Sequence, residues 1–494
     1  MGTIKNIAVG LVTVAALLAI GWSAFDIRMH AIRTYGYVIH EFDPWFNFRA
    51  AQYLADNGWS RFFRWYDYMS WSPLGRPVGT TIYPGMQIAS VYLWKALNAL
   101  GVNITLNDVC CMTPVYFGVT ASLLLTLMVY VCSGSISSAL SGGMIMAIIP
   151  GHLMRSVGGG YDNESVAVSC LVLTFLMWMV SLSNKDGSKY SLFGVLTGIA
   201  YTCMVASWGG FIFVLNMIGL HAAVLVLVGR FSTKLWASYS LWYVIGTIGA
   251  MHVPVVGWTP LKSLEQLAPM GVFFGMQALQ LCEQPFVLKA FGYEKGTITT
   301  AQKLKVYAGV FGAMAAVASM IVGALYPTGY FGPLSSRIRG LFVKHTRTGN
   351  PLVDSVAEHQ PASAAAFYQF LHLTCYTAPV GFAIALFSAF VKPFFLPEAY
   401  TARTDPMSFI LVYAVVTYHF ATKMNRLMLM MGPVSAILSG LALGTAFDFC
   451  LYELLTLLSA ISGIGKVPKV CKHLVVVASC NKFLVGCDDT LVIF

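Results

Sequence analysis

Acidic side chains are scarce in this sequence, 20 Asp and Glu among 494 residues, so their positions are informative. Asp43 lies in His40-Glu-Phe-Asp-Pro-Trp-Phe-Asn-Phe-Arg49, just past the first apolar run. Asp162 and Glu164 lie in Arg155-Ser-Val-Gly-Gly-Gly-Tyr-Asp-Asn-Glu164, at the entry to another. Glu358 lies in Ser355-Val-Ala-Glu-His-Gln360, and Arg426 opens a late apolar run. Three or four carboxylates with a nearby His suit a hard divalent cation such as Mg²⁺ or Mn²⁺, which takes oxygen ligands. The Gly158–Gly160 run would let backbone approach a bulky anionic ligand closely. Taken singly, each residue also has a plainer reading. Asp43 before a helix, and Asp162 with Glu164 at a helix start, are favourable capping and dipole arrangements. Glu358 with His359 is a solvated loop pair, Arg426 a snorkelling end residue, and the Trp and Tyr of 45–71 an interfacial belt. Their coincidence on one face of a membrane is what lifts the set above these readings.

The elements that must hold these residues are membrane helices. The chain is 57% hydrophobic and only 10% charged, against about 25% charged in ordinary globular chains. A soluble enzyme, a secreted disulfide scaffold and a disordered hub are excluded. The 11 Cys contain no CxxC spacing, and most sit in apolar runs as small buried hydrophobes. The net charge of +10 points to cytoplasmic loops and lipid headgroups, with no nucleic-acid-binding tract. Apolar runs at about 7–25, 112–132, 135–150, 165–182, 190–206, 208–229 and 235–257 are near spanning length. Further runs follow at 267–288, 306–326, 366–391, 407–422, 425–446 and 449–464, which makes about 13 transmembrane helices in an all-α polytopic membrane protein. Met1–Phe25 reads as an uncleaved signal anchor and first helix.

Two stretches, 26–110 and 327–362, read as long loops. With the N-terminus cytoplasmic, eleven Lys and Arg fall on short loops of that side, Lys5, Lys189, Arg230 and Lys234 among them. Only Arg155, Lys262, Lys423 and Arg426 fall opposite. This is the positive-inside bias, and it puts both long loops and all four site clusters on the non-cytoplasmic side. Asn103-Ile-Thr105 is a sequon on that face, and Asn163-Glu-Ser165 is another that overlaps the site and is expected to stay unmodified.

These motifs resemble one family, the catalytic subunit of the eukaryotic and archaeal oligosaccharyltransferase. The matching stretches are His40–Arg49, Pro73–Arg76 with Thr81–Gly85, Pro150–Glu164, Ser207-Trp-Gly-Gly210, Ser355–Gln360, and Arg426 onward with Pro433–Gly440. They run in order over roughly residues 1–464. The resemblance implies a GT-C type membrane domain over 1–464 in the endoplasmic reticulum membrane, with a lumenal site. It implies transfer of an oligosaccharide from a dolichyl pyrophosphate donor to Asn of Asn-x-Ser/Thr in an acceptor polypeptide, with inversion. Asp43 would hold the metal, Mn²⁺ or Mg²⁺, and the acceptor amide. Asp162 and Glu164 would face the metal, Glu358 would contact the acceptor amide from a mobile loop with Ser355, His359 and Gln360, and Arg426 would grip the pyrophosphate. Implied partners are the lipid-linked donor, the acceptor chain, membrane lipid and other oligosaccharyltransferase subunits.

Two departures stand out. Ala357 occupies the third position of a motif that reads Ser-Val-Ser-Glu-His-Gln in the family. The family's Trp-Trp-Asp-Tyr-Gly sequon reader has no counterpart, since the last Trp here is Trp258, and residues 465–494 read as a short atypical tail. The expectation is a chain truncated after its membrane domain, either once competent or catalytically impaired. Composition alone also admits a polytopic transporter, whose marks would be an internal repeat and acids at mid-bilayer. Neither is found in the sequence.

Overall fold

A computed structural model of the chain describes residues 2–184, 186–293, 299–332, 356–391 and 403–461. Ser355 and the tail 465–494 lie outside the described residues. Among the described residues the fold is helical throughout, with no strand. Six helices are long and apolar enough to cross a membrane: Val9–Tyr35, Leu106–Ser133, Asn163–Ser183, Gly187–Ser207, Thr300–Thr328 and Asn425–Leu458. A pair bent by 84°, Ala364–Leu371 with Thr374–Phe390, makes up to seven, and Ile136–Ile148 and Phe211–Leu227 are shorter apolar helices. The polytopic all-α membrane architecture expected from composition is therefore present.

Local signals explain where the helices begin. Thr105 and Asp108 form a reciprocal capping box at the start of Leu106–Ser133, and Gly134 ends that helix in a left-handed conformation. Asp162 caps Asn163–Ser183 through its side chain. That helix is largely buried, packed against Leu106–Ser133, Gly187–Ser207 and Thr404–Lys423. Thr300–Leu325, by contrast, is exposed over nearly all its apolar length and has lipid as its natural surroundings.

One expectation is corrected by these helices. The runs at 425–446 and 449–464 are one continuous helix, Met428–Ile461. Asp448, which lies between the two runs, is buried and accepts a hydrogen bond from Ser135 Oγ at 2.8 Å. A buried acid that has found a hydroxyl need not end a helix. The stretch 26–110, between two spanning helices, carries helices of its own, Phe42–Phe62 and Gly85–Ala99. Pro44, Asn47, Ala50, Ala51 and Leu54 share the buried face of the first, a 3.6-residue period hidden among the aromatics. The aromatics also divide: Trp45, Trp59 and Trp71 are exposed, as a belt requires, whereas Trp65 stacks on Tyr53 with centroids 4.1 Å apart.

Helices meet across small residues, as is common without a hydrophobic driving force between them. Met428–Ile461 crosses Ile136–Ile148 so closely that a Cβ on Gly440 would stand 2.5 Å from Gly142 Cα and 2.8 Å from the Ser138 carbonyl. Backbone cannot yield as a side-chain tip does. Gly440→Leu is expected to lower the thermal midpoint of the detergent-solubilised chain, by a cost of at least ~1–3 kcal/mol for overpacking. An unchanged midpoint would mean the two helices do not touch there.

Candidate functional site

The site grows from one end of the bundle, where three segments are stitched together by backbone. His40 N–H donates to the Gly159 carbonyl at 3.3 Å, and the His40 ring lies 3.2 Å from the Gly158 carbonyl. Gly159 N–H donates to the Cys111 carbonyl, and Gly158 N–H to the Arg28 carbonyl, both at 3.0 Å. Gly159 has φ +86°, and a Cβ there would strike the Val38 carbonyl and stand 3.0 Å from the His40 ring. The glycine run was expected to admit a ligand. What it admits is the protein's own His40 segment, so the purpose of the small residues is to bring the first acidic motif against the second.

That close approach is locked by polar residues that sequence reasoning passed over. Asn47, on the buried face of Phe42–Phe62, donates to the Tyr161 carbonyl at 3.2 Å and accepts from Gln87 Nε2 at 3.1 Å. Tyr161 is fully buried and donates to Ser90 Oγ at 2.9 Å. The available signal was Asn47 itself, a polar residue one helical turn after Asp43. Asp43 is exposed in the first turn of its helix, two residues after the N-cap Glu41 at φ +71°. A non-glycine residue in that region stores strain, which is common beside functional groups.

Four charged side chains form a chain next to Asp162. Glu164 is buried, at 1% exposure, and its Oε1 accepts from Arg426 Nη2 at 2.7 Å and Nε at 3.1 Å. Its Oε2 lies 3.2 Å from Arg155 Nε, an ion-pair contact without the direction of a hydrogen bond. Arg155 Nη2 also pairs with Glu358. The turn Ala357–His359 that carries Glu358 packs on the turn Asn425–Leu427, where Asn425 N–H donates to the Gln360 carbonyl at 2.9 Å. His359 and Gln360 thus sit beside the site in the same turn as Glu358, and both interact with neighbours. Arg155, counted in the sequence only as a loop charge, is the link between two motifs 203 residues apart.

These four balance as two positive and two negative charges, which leaves Asp162, and Asp43 with Arg76 near it, outside the pairing. Burial first, and then the carboxylates of Glu164 and Asp43, push the Asp162 acid up to about 6, although Arg426 and the Asn163 N–H oppose this. Asp43 also acts on Arg76, whose guanidinium lies over the Phe46 ring at 4.5 Å and the Trp71 ring at 4.9 Å. Among the described residues no three of His, Cys, Asp and Glu stand close enough together to form a ready metal cage. The physical reason is visible: Glu164 is turned onto its two arginines. The donor chemistry nonetheless fits a hard divalent cation, because Asp162 and Asp43 are oxygen donors with surplus negative charge and Glu164 lies within their electrostatic reach. Chemically, the arrangement offers carboxylates that accept hydrogen bonds beside guanidinium groups that bind anions.

Residues 11–440 match the family described as "Oligosaccharyl transferase STT3, N-terminal". The chain is 37% identical over 439 residues to the dolichyl-diphosphooligosaccharide–protein glycosyltransferase subunit STT3 of Saccharomyces cerevisiae, covering 88% of this chain and 57% of that protein. In three dimensions it is similar to the archaeal oligosaccharyltransferase AglB of Archaeoglobus fulgidus in complex with an inhibitory peptide and a dolichol-phosphate. That match has a TM-score of 0.68 at 16% identity, over 95% of this chain and 54% of AglB. A complex of the Archaeoglobus protein with Zn and sulfate matches at TM-score 0.63 and 16% identity, over 94% and 52% of the two chains. The chain thus spans about half the length of the proteins it matches.

Proposed function

The chain belongs to the oligosaccharyl transferase STT3 family, and we propose that it forms the membrane catalytic part of an enzyme of N-linked protein glycosylation. The donor is an oligosaccharide on dolichyl pyrophosphate and the acceptor is the Asn side chain of Asn-x-Ser/Thr. The observation that carries this reading is the chain Glu358–Arg155–Glu164–Arg426 beside Asp162, which joins acceptor-binding and donor-binding groups at one end of a membrane bundle.

A carboxamide nitrogen is a poor nucleophile because its lone pair is delocalised into the carbonyl. Asp43 and Glu358 would accept its two N–H bonds, raise its electron density and hold it in line with the sugar carbon. Arg426 would bind the pyrophosphate oxygens, with Arg155 close by, and stabilise the charge that develops as the carrier departs. Attack on the face opposite the leaving group inverts the anomeric centre. Asp43, Asp162 and Glu164 would hold Mn²⁺ or Mg²⁺, Glu164 by exchanging an arginine partner. Such an ion supplies Lewis-acid neutralisation of the leaving pyrophosphate. The Zn in the Archaeoglobus complex supports metal binding in a protein of this fold. The test is transfer of a labelled oligosaccharide from synthetic lipid pyrophosphate to an Asn-x-Thr peptide, with the corresponding Gln-x-Thr peptide as control. Equal labelling of both would sink the reading.

Acids at helix ends, and not at mid-bilayer, also favour this over a transporter. The site is proposed to face the lumen of the endoplasmic reticulum, with other subunits of the transferase as partners. Orientation has its own check. In sealed microsomes Met154→Cys, at the site end, is expected to resist a membrane-impermeant maleimide until the membrane is permeabilised. Lys189→Cys is expected to react at once. The reverse pattern would overturn the lumenal assignment. Both side chains are more than half exposed, and both substitutions are made with Cys203, Cys450, Cys471, Cys480 and Cys487 replaced by Ser so that only the new thiol reports.

A further inference from the structure

Arg28 is a fully buried arginine near the end of the first membrane helix, and no described carboxylate pairs with it. An ionised group in such surroundings is costly and calls for a reason. It does not snorkel, because none of it reaches solvent. Its guanidinium donates instead to three oxygens on three segments: Nη1 to the Ala24 carbonyl at 2.9 Å and the Ala147 carbonyl at 2.8 Å, and Nε to Ser156 Oγ at 2.9 Å. The Ser156 hydroxyl donates in turn to the His152 carbonyl at 2.8 Å, and the Arg28 carbonyl accepts from Gly158 N–H at 3.0 Å. The side chain lies flat on Gly118, where any Cβ would collide with Nε.

Both the side chain and the backbone of this residue therefore grip one short turn, at Ser156 and Gly158. Arg155, which links Glu164 to Glu358, precedes the first grip by one residue, and Asp162 follows the second by four. We infer that Arg28 is a positioning residue: it fixes the Arg155–Asp162 turn from inside the membrane bundle, so that Arg155 meets both acids. Carbonyl and hydroxyl acceptors suit this task better than a carboxylate, because a guanidinium with five donors in a rigid fork can tie several segments at once. A lysine carries the charge but not the fork. The inference rests on reading that turn as part of the site, but its test measures geometry and needs no activity.

The experiment places spin labels on Met154→Cys and Leu100→Cys, both exposed, with Cys203, Cys450, Cys471, Cys480 and Cys487 replaced by Ser. A control pair sits on Leu192→Cys and Ile248→Cys in the Gly187–Ser207 and Thr233–Met251 helices. In the purified full chain, Arg28→Met and Gly118→Ala are each expected to at least double the width of the Met154–Leu100 distance distribution and leave the control narrow. Arg28→Lys and Ser156→Ala, each keeping part of the grip, are expected to fall between. Unchanged widths in Arg28→Met protein that folds would overturn the inference. Equal broadening of both pairs would do so too, since it would make Arg28 a support of the whole bundle and not of this turn. Should Arg28→Met fail to fold, Ser156→Ala alone still decides the outcome.

Discussion

Mn²⁺ added to the purified chain at pH 7.5 is expected to raise its thermal midpoint, and that gain is expected to vanish as the pH falls through about 6. The reason is Asp162, whose acid is pushed up to about 6 by burial and by the carboxylates of Glu164 and Asp43. The sign follows from linkage. A carboxyl whose folded pKa exceeds its ordinary value of 3.8 penalises the folded state once it ionises. That penalty develops between pH 3.8 and about 6 and persists above. A cation relieves it only where Asp162 is charged, so cation affinity should fall roughly tenfold per pH unit below the transition. Asp162→Ala and Asp43→Ala are each expected to abolish tight Mn²⁺ binding while expression stays near normal, and Glu164→Ala to abolish it at a cost in stability. Glu164→Gln serves as the milder control, since Ala there leaves two arginines facing each other. Affinity that is flat from pH 5 to 7.5, or untouched by all three substitutions, would remove the metal from this site.

Arg426→Ala is expected to lower kcat for oligosaccharide transfer roughly 10²–10³-fold, the usual effect of deleting one preorganised donor to a developing anion. Mn²⁺ affinity should hold or rise, because Glu164 loses a competing partner 2.7 Å away. The stability cost is expected to be modest. Breaking a buried ion pair costs about 3–5 kcal/mol, but Arg426 is 37% exposed and Arg155 remains at 3.2 Å, so solvent and the second arginine absorb much of it. Calorimetry with a short-chain lipid pyrophosphate separates the two roles. Weaker donor binding with intact metal binding supports Arg426 as the pyrophosphate grip. Unchanged donor affinity would reduce it to a structural counter-ion of Glu164.

The membrane class was legible in the sequence, and so were the candidates for the site, because both readings rest on local properties. A run of apolar residues must be helical in lipid whatever surrounds it, and Asp162 capping Asn163–Ser183 follows from its own position in the chain. Asp43, Asp162, Glu164, Glu358 and Arg426 were recognisable by type, neighbours and common face. Their pairing was not. Arg426 and Glu164 are 262 residues apart, and nothing in either segment states which helix will stand opposite. Periodicity reports which face of a helix is buried but not against what. For that reason two apolar runs stood where one helix forms, with Asp448 between them as a buried partner of Ser135. The Gly158–Gly160 run looked open to a ligand and is filled by the His40 segment. Arg155 looked like a loop charge and joins Glu164 to Glu358, and Arg28 drew no notice at all. Electrostatic work depends on distance and burial, and both are set only when the helices pack.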